Sequence, residues 1–440
     1  MIRKTRIKRT WLAAAVIASG SLLATALPAN AETGVSASEI KLGITLPLSG
    51  FAAPGYNKIG NAMNAYFNYV NDNGGVYGRK VTLLQEDDEY GPTLAVNKAR
   101  SLVLQKKVFA LVGPLGTANF TAIHKSLGLP KRGVPSLFLN TGFSGFANKK
   151  NYPNSFMVLP SYAMEAKIVA QFLKENHAGK KIGFVYQNDE FGIDGVKAFE
   201  EAGTKFVVSV PYTSGSQNAS EAAIWVSKLR GAGAEVVVFF GVTSATAALL
   251  GTSFALKYAP QWILGSVGAD PLTLQGLKVP LAFLNGVQTP AGNPSPNDTS
   301  DEYVKQFREI NTKYNAGTAF DDYVLQGMNI GLMTVQALRA AGKNLTRKGL
   351  VRAMETKGST FASVAYSPLG YSRTSNAGHT GYYMAVMDAN GDRKPFGGKV
   401  TLYTTDSGSG PVVVSTFKRP AMPAKGLPSN SREPLNSSDP

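Results

Sequence analysis

The 440-residue chain has no cysteine. That excludes disulfides, thiolate metal sites, a cysteine nucleophile and a lipid-modified cysteine. Histidine is almost as scarce: His124, His177 and His379 are the only three, too scattered to suggest a metal site. His177 falls where a helix is expected to end, a position that suits a cation against the helix dipole, and each histidine reads as a surface or cap residue. Neither a Gly-x-Ser-x-Gly elbow nor a Gly-x-x-x-x-Gly-Lys-Ser/Thr phosphate loop occurs. Acids are outnumbered, 29 against 45 Lys and Arg, for a net charge of +16. Such a balance suits an anionic partner. No basic block interleaved with aromatics accompanies it, which argues against nucleic acid. After residue 27 there is no apolar run long enough to cross a bilayer, so no membrane span is expected in the mature chain.

What is present begins at the N-terminus. Arg3, Lys4, Arg6, Lys8 and Arg9 form a basic segment, an apolar run follows over 11–27, and Ala29-Asn30-Ala31 offers small residues for cleavage. These are the three parts of a secretory signal peptide over 1–31, cleaved after Ala31. The run is interrupted by Ser19, Gly20, Ser21 and Pro28 and falls short of the roughly 20 apolar residues of a span. Without an anchor, an exported protein stays near its cell behind an outer barrier. A periplasmic location is therefore the first expectation, and free secretion the second.

Beyond residue 31 the chain is too long for one ordinary core and implies two lobes. Short apolar strands alternate with helices. Strands are expected at 40–44, 81–84, 109–112, 181–186, 206–208, 236–240 and 262–265, and helices at 61–70, 93–105, 195–201, 221–230 and 323–341. This rhythm predicts an α/β fold with parallel sheets covered on both faces. Ligands in such folds sit beyond the carboxyl ends of the strands, so the informative residues follow each strand. The Glu86-Asp87-Asp88-Glu89 run follows a strand and reads either as an acid or metal cluster or, more plainly, as loop acids favouring the next helix. A Pro/Asn/Ser-rich stretch over 290–300 suggests a crossing between lobes, and 418–440, rich in Pro and Ser, suggests a disordered tail.

Several segments resemble one family in order and spacing. Ile40-Lys41-Leu42-Gly43-Ile44-x-x-Pro47-Leu48-Ser49-Gly50 is similar to the opening of the branched-chain amino-acid-type periplasmic binding proteins of ABC transporters. The likeness continues through Asn71-x-x-Gly74-Gly75-Val76-x-Gly78-Arg79, the Glu86-Asp87-Asp88 run, Val112-Gly113-Pro114, Gly133-Val134-Pro135 and Tyr186-Gln187-Asn188-Asp189-x-Phe191-Gly192, covering about 39–395. The resemblance implies two Rossmann-like lobes joined by a three-segment hinge. Crossings would fall near Ser161, near Pro290 and around 370–380. Lobe 1 would comprise 33–160 plus 291–375, and lobe 2 would comprise 161–290 plus 376–405, with 382–387 as its last strand.

The family holds a ligand carboxylate through hydroxyls and backbone N–H groups of lobe 1. By the resemblance, these lie in Leu115-Gly116-Thr117 and in Thr141-Gly142. The expected second hydroxyl falls on Gly142 by strict count, so either a backbone N–H replaces it or the register slips to Thr141. Phe191, Tyr323 and Tyr56 are implied as aromatic contacts. Thr117 also reads as a helix N-cap, and each aromatic also reads as core. The chain departs from the family at Val267, where an acid usually pairs with the ligand's ammonium, and at Val242 and Thr243, often an aromatic pair. Either Asp270 takes the acid's role or the ligand has no ammonium, since an unpaired buried ammonium costs several kcal/mol.

The implied function is capture of a small amino acid or related carboxylate or amide by hinge closure, for delivery to an inner-membrane ABC permease. No cofactor is implied, no catalysis, and by family habit a monomer. A sensor that presents ligand to a membrane receptor is the alternative.

Overall fold

The computed structural model describes residues 32–429; the signal-peptide expectation and residues 430–440 lie outside the described residues. Two sheets dominate. The first is built from β1 (Glu39–Leu46), β2 (Lys80–Asp87), β3 (Ala110–Val112), β4 (Ser136–Leu139) and β5 (Ser155–Met157), all parallel, in the order β2-β1-β3-β4-β5. The second takes β6 (Ile182–Gln187), β7 (Val208–Tyr212), β8 (Val236–Phe240), β9 (Gln261–Leu264) and β10 (Gln288–Ala291). Two short strands outside it, β11 (Leu369–Tyr371) and β12 (Asn376–His379), pair with each other. The second sheet is then extended antiparallel by β13 (Tyr383–Met387) and β14 (Arg393–Pro395), giving β14-β13-β10-β9-β8-β6-β7. Thus 382–387 is not the last strand, because β14 follows it.

Central strands read as continuous apolar runs because both faces are covered. Val236, Val237, Val238, Phe239 and Phe240 of β8 are all buried. The sheet carries aromatic ladders: Phe184 stands beside Phe199, Phe206 and Phe240 on one side, and Tyr212 stacks with Phe239 and Trp225 on the other.

Helices α1 (Ile59–Asp72), α2 (Pro92–Arg100) and α3 (Thr117–Leu127) flank the first sheet; α4 (Tyr162–Asn176), α5 (Glu190–Glu201), α6 (Ala219–Gly231), α7 (Thr243–Ala255), α8 (Pro271–Gly276) and α9 (Leu281–Leu284) belong with the second. The chain then returns through α10 (Glu302–Tyr314), α11 (Asp322–Ala340) and α12 (Arg347–Lys357). The long helix α11 is buried along nearly its whole length and lies against α1. Gly327 and Gly331, four residues apart, permit that approach. A Cβ at Gly327 would stand 2.4 Å from the Ile59 carbonyl oxygen, and one at Gly331 would stand 3.0 Å from Tyr66.

Three segments carry the chain between the sheets: 158–161 between β5 and α4, 292–301 between β10 and α10, and 380–382 between β12 and β13. A fourth connection was not expected. Tyr403–Thr404 and Val413–Val414 (β15 and β16) form a hairpin beside α4, tied by Ser407 Oγ to Ser161 Oγ at 2.6 Å and by Asp406 to Lys167 at 2.8 Å. The chain then crosses to α10 and α1. Arg419 pairs with Asp301 at 2.5 Å and sits over the rings of Tyr303 and Tyr366. Tyr303 donates to the Pro420 carbonyl and Tyr66 to the Gly426 carbonyl, both at 2.7 Å. Residues 418–427 of the expected disordered tail are thus seated on the first lobe. The anchors are hydrogen bonds to backbone, one arginine and only two apolar side chains, Met422 and Leu427, packed on the core, which is why low hydropathy misled.

Candidate functional site

The loops after the strands of both sheets converge on a cleft. Phe138, at φ 56, marks a shift of β4 against β5, and this bulge sets the phase of the Asn140-Thr141-Gly142 turn. Thr141 Oγ1 lies 2.6 Å from Thr117 Oγ1 and 3.4 Å from the Tyr162 hydroxyl. Gly142 has no room for a side chain: a Cβ would stand 2.6 Å from the Pro160 carbonyl and 2.8 Å from the Tyr162 ring. The hydroxyl at this turn therefore sits on Thr141. Thr117 is the first residue of α3 rather than its cap, which is Gly116. Both threonines are buried behind the cleft wall and hydrogen-bonded to each other.

Two adjoining cavities occupy the cleft. The outer one is lined by Tyr56, Tyr90, Leu115, Gly116, Asn140, Leu159, Tyr162, Phe191, Val242 and Val267. Phe191 packs its ring 4.4 Å from that of Tyr162. Two helices open on this cavity, α3 with cap Gly116 and α7 with cap Val242, and neither cap residue bonds the first turn through its side chain, although the Tyr56 and Tyr323 hydroxyls reach Thr243 at the start of α7. Elsewhere Ser161, Asp189, Asn218, Asp301, Asp321 and Thr346 each cap the helix that follows them, while α1, α2 and α9 also start without a side-chain cap. Uncapped N–H groups and the positive end of the helix dipole favour an anion there.

The inner cavity, about 110 Å³, lies toward the crossings and touches Tyr56, Asn140, Leu159, Val267, Asp270, Pro290, Asn293, Asp322, Tyr323, Gln326, His379, Tyr382 and Arg393 among others. Arg393 binds Asp322 through both terminal nitrogens, with Nη2 at 2.7 Å from Oδ1. Burial pushes the Asp322 carboxyl up to about 7 despite that partner. Asp270 does not present a free carboxylate: one oxygen accepts from Thr273 N at 2.6 Å as the cap of α8, the other from Asp322 N at 3.2 Å. His379 is buried with Nδ1 donating to the Ser367 carbonyl and Nε2 3.0 Å from Ser363 Oγ. Desolvation lowers its pKa to about 4, so the ring is neutral. It is a core group, not the surface or cap residue expected; His177, which does cap α4, bonds Gln288 at 2.9 Å.

The lobes are tied across the cleft. Tyr56 donates to the Val267 carbonyl at 2.7 Å, Tyr323 donates to the same oxygen at 3.2 Å, and the Tyr323 hydroxyl also bonds Thr243 Oγ1. Ser144 N and Oγ both bond Asp194, at 2.8 and 2.5 Å. Behind Val267, Glu165 of α4 is buried. It accepts from Ser266 N at 2.7 Å, Ser266 Oγ at 2.8 Å and the Tyr382 hydroxyl at 3.2 Å. Desolvation outweighs these donors and lifts its pKa to about 7. The acidic run 86–89 is structural. Asp87 accepts from Leu48 N, Ser49 N and Ser49 Oγ, and Glu86 pairs with Lys98 and Lys106. No described group of three or more His, Asp or Glu is placed to hold a metal ion, and no described helix is long and apolar enough to cross a membrane.

Of the residues singled out in the sequence, Leu115, Gly116 and Phe191 meet on the outer cavity, Asp270 and Tyr323 on the inner one, and Tyr56 and Val267 on both. Thr117, Thr141 and Gly142 stand one layer back. Asn140, which opens the second matching loop of the resemblance, lines both cavities, whereas Tyr162, Gln326 and Arg393 were not anticipated. Tyr162 follows directly on the Ser161 crossing, which was the one available hint.

Residues 39–392 match the family model described as periplasmic binding protein. Among curated proteins, the chain is 27% identical over 204 residues to Leu/Ile/Val-binding protein homolog 3 of Brucella melitensis, a match spanning 46% of this chain and 54% of that relative. A branched-chain amino acid ABC transporter protein from Thermus thermophilus with bound valine superposes with a TM-score of 0.73 at 17% identity, covering 85% of this chain and 98% of that one. A solute-binding protein of an ABC transporter from R. palustris, in complex with benzoate, gives 0.68 at 18% identity, covering 86% and 98%. With a family match across most of its length and this two-sheet architecture beneath it, the chain belongs to the periplasmic binding protein family, as a leucine-binding-protein-like type I member.

Proposed function

We propose that this protein is the extracytoplasmic receptor of an ABC importer, that it captures a small carboxylate lacking an α-ammonium, and that it delivers this ligand to an inner-membrane permease without making or breaking a bond. The observation that carries the reading is the chemistry of the outer cavity. It sets two uncapped helix N-termini and apolar and aromatic walls around the ligand, and no carboxylate is among its lining residues. A carboxylate is favoured by the helix ends. An α-ammonium would be buried beside Val267, where the nearby Glu165, Asp270 and Asp322 are already engaged by other donors, at a cost of several kcal/mol. Phe191, Tyr162 and Tyr90 supply faces for an aliphatic or aromatic body. Relatives of this fold include one with bound valine and one with bound benzoate, and a lining without a carboxylate, around a space of about 20 Å³ that must open to admit a ligand, favours the second kind of ligand.

Ligand that binds only the folded protein raises its melting temperature. The test is a thermal-shift comparison of leucine with 4-methylpentanoate, the same skeleton without the amine, and of benzoate with phenylalanine. Stabilisation by the acids and not by the amino acids is expected. Stronger stabilisation by leucine than by 4-methylpentanoate overturns the reading.

A further inference from the structure

Glu165 lies directly behind the cleft wall, and the carboxylate site makes no use of it. It stands one turn into α4, with its backbone N–H bonded at 2.9 Å to the Ser161 carbonyl at the first crossing. Its buried carboxylate accepts from Ser266 N through Oε1, and from Ser266 Oγ and the Tyr382 hydroxyl through Oε2. Tyr382 belongs to the third crossing. Ser266 and Tyr382 line the inner cavity, and Val267, next in the chain, lines both. The Val267 carbonyl is the oxygen that receives Tyr56 and Tyr323 from the other lobe. The 265–268 loop is pinned in place: a Cβ at Gly268 would stand 2.3 Å from the Gly241 carbonyl oxygen, and one at Gly265 would stand 3.3 Å from Glu165 Oε1. One carboxyl group thus joins two crossings to the loop on which the lobes meet. Among the described residues it has donors around it but no cation paired with it. The titratable groups that face it are Tyr382 and Tyr162, both phenols kept neutral by burial. The charges on neighbouring elements are committed elsewhere. Lys167 pairs with Asp406 of the hairpin, Asp194 of α5 is held by Ser144, and Asp189 and Asp270 cap α5 and α8. Asp322 is matched by Arg393 across the inner cavity.

We propose that Glu165 is a proton-linked positioning residue: the ligand's carboxylate, arriving at the cleft wall, draws a proton from solvent onto Glu165, so that capture of the anion is coupled to proton uptake. This rests on the carboxylate reading of the outer cavity and extends it to the response of binding to pH. Two like charges close together in a poorly solvated site disfavour ionisation of one of them. Here the ligand's charge is fixed by the helix ends, and the unmatched charge is that of Glu165. The group takes the proton without losing its place. Oε1 keeps its bond from Ser266 N, protonated Oε2 donates to Ser266 Oγ, and that hydroxyl turns its own hydrogen to the Tyr382 oxygen, 3.2 Å away. The loop that carries Val267 is therefore held in either state. Burial holds the Glu165 carboxyl at about 7 in the folded protein, and a bound anion raises it further. Below the first value the group is protonated with or without ligand, and affinity is high and flat. Above it the proton must be taken up on binding, and affinity falls as pH rises.

The experiment is calorimetry of the purified protein with 4-methylpentanoate at pH 6 and at pH 8, each in two buffers of different ionisation enthalpy, repeated on Glu165→Gln. The ligand is ionised at both pH values. Binding to the parent protein is expected to be about fivefold weaker at pH 8, with roughly half a proton taken up per ligand there and almost none at pH 6. Glu165→Gln, which keeps an acceptor for Ser266 N, should bind equally at both pH values and take up no proton. Uptake that persists in the variant assigns the proton to another acid and overturns the proposal. Binding by the parent that is independent of pH and takes up no proton overturns it as well, and leaves the carboxylate reading standing. That count on the parent decides the coupling even where the variant fails to fold. Absence of binding at both pH values overturns the carboxylate reading and the coupling together.

Discussion

The Tyr56 hydroxyl, from the loop after the first strand of one lobe, donates at 2.7 Å to the carbonyl of Val267, from the loop after a central strand of the other. The bond spans the cleft and closes over the shared wall of both cavities. Tyr56→Phe removes the donor and keeps the ring that packs 4.9 Å from Tyr323. Bound ligand is expected to leave about fivefold faster, for a lost hydrogen bond of about 1 kcal/mol, with the melting temperature of the ligand-free protein little changed. Stopped-flow release measures this. An unchanged release rate would show that the bond plays no part in holding ligand.

Val267 lines both cavities, and the proposed function takes it to stand where a carboxylate would meet an α-ammonium. Val267→Glu should therefore raise the ratio of leucine affinity to 4-methylpentanoate affinity by tenfold or more, since a close opposite charge is worth more than 1.4 kcal/mol in a partly desolvated site. Competition binding with the two ligands reads the ratio directly. No change in the ratio would mean that the ligand's α-carbon does not lie beside residue 267.

The buried Glu165 gives a signed dependence on pH. Its pKa is near 7 in the folded protein against an ordinary 4.5, so the folded state holds a proton that the unfolded state releases between those values. Stability conferred through this group falls as pH rises from about 4.5 to 7. His379 works in the opposite sense: its folded value near 4 against 6.5 makes stability rise with pH over that interval. Glu165→Gln cancels only the first slope. Relative to the parent protein, the variant should gain about 2.5 kcal/mol in urea unfolding between pH 5 and pH 8. Asp88 and Asp322, also lifted to about 7, remain in both proteins. A pH-independent difference would mean that Glu165 is ionised in the fold throughout.

Arg419 anchors the C-terminal segment through Asp301, the Val364 carbonyl and two aromatic faces. Arg419→Ala leaves the Asp301 carboxylate, whose side chain is 6% exposed, without its cation, and should destabilise the protein by about 2–4 kcal/mol in denaturant unfolding. A change below about 0.5 kcal/mol would place this segment among ordinary surface chain.

Sequence reading reached the fold wherever burial is written as apolar pattern. Val236 to Phe240 could only be a covered strand, and the long helix ending at Ala340 announced itself by length and composition. It reached the cleft wherever a residue follows a strand, as with Gly116, Val242 and Val267. It was silent where partners come from distant segments. Gln326 sits on a helix that read as core, and Arg393 belongs to a short strand with no apolar signature. Asp270 looked like a substitute acid because spacing cannot distinguish a ligand partner from a helix cap, and its bond to Thr273 N makes it the cap.

The C-terminal crossing also sets a length. Between Val414, paired in the hairpin on one lobe, and Arg419, fixed on the other, the chain has five Cα–Cα steps, a reach of at most roughly 18 Å. The hairpin is fastened to Ser161 and, through the Tyr382–Tyr403 bridge, to the third crossing, so this leash runs alongside the hinge rather than across the mouth of the cleft. If the lobes close about these crossings, as the proposed function has it, a leash beside them permits the mouth to swing while resisting twist and translation. Shortening or cutting it should alter how the lobes travel, and hence the rate of opening, without touching a single residue that faces the ligand.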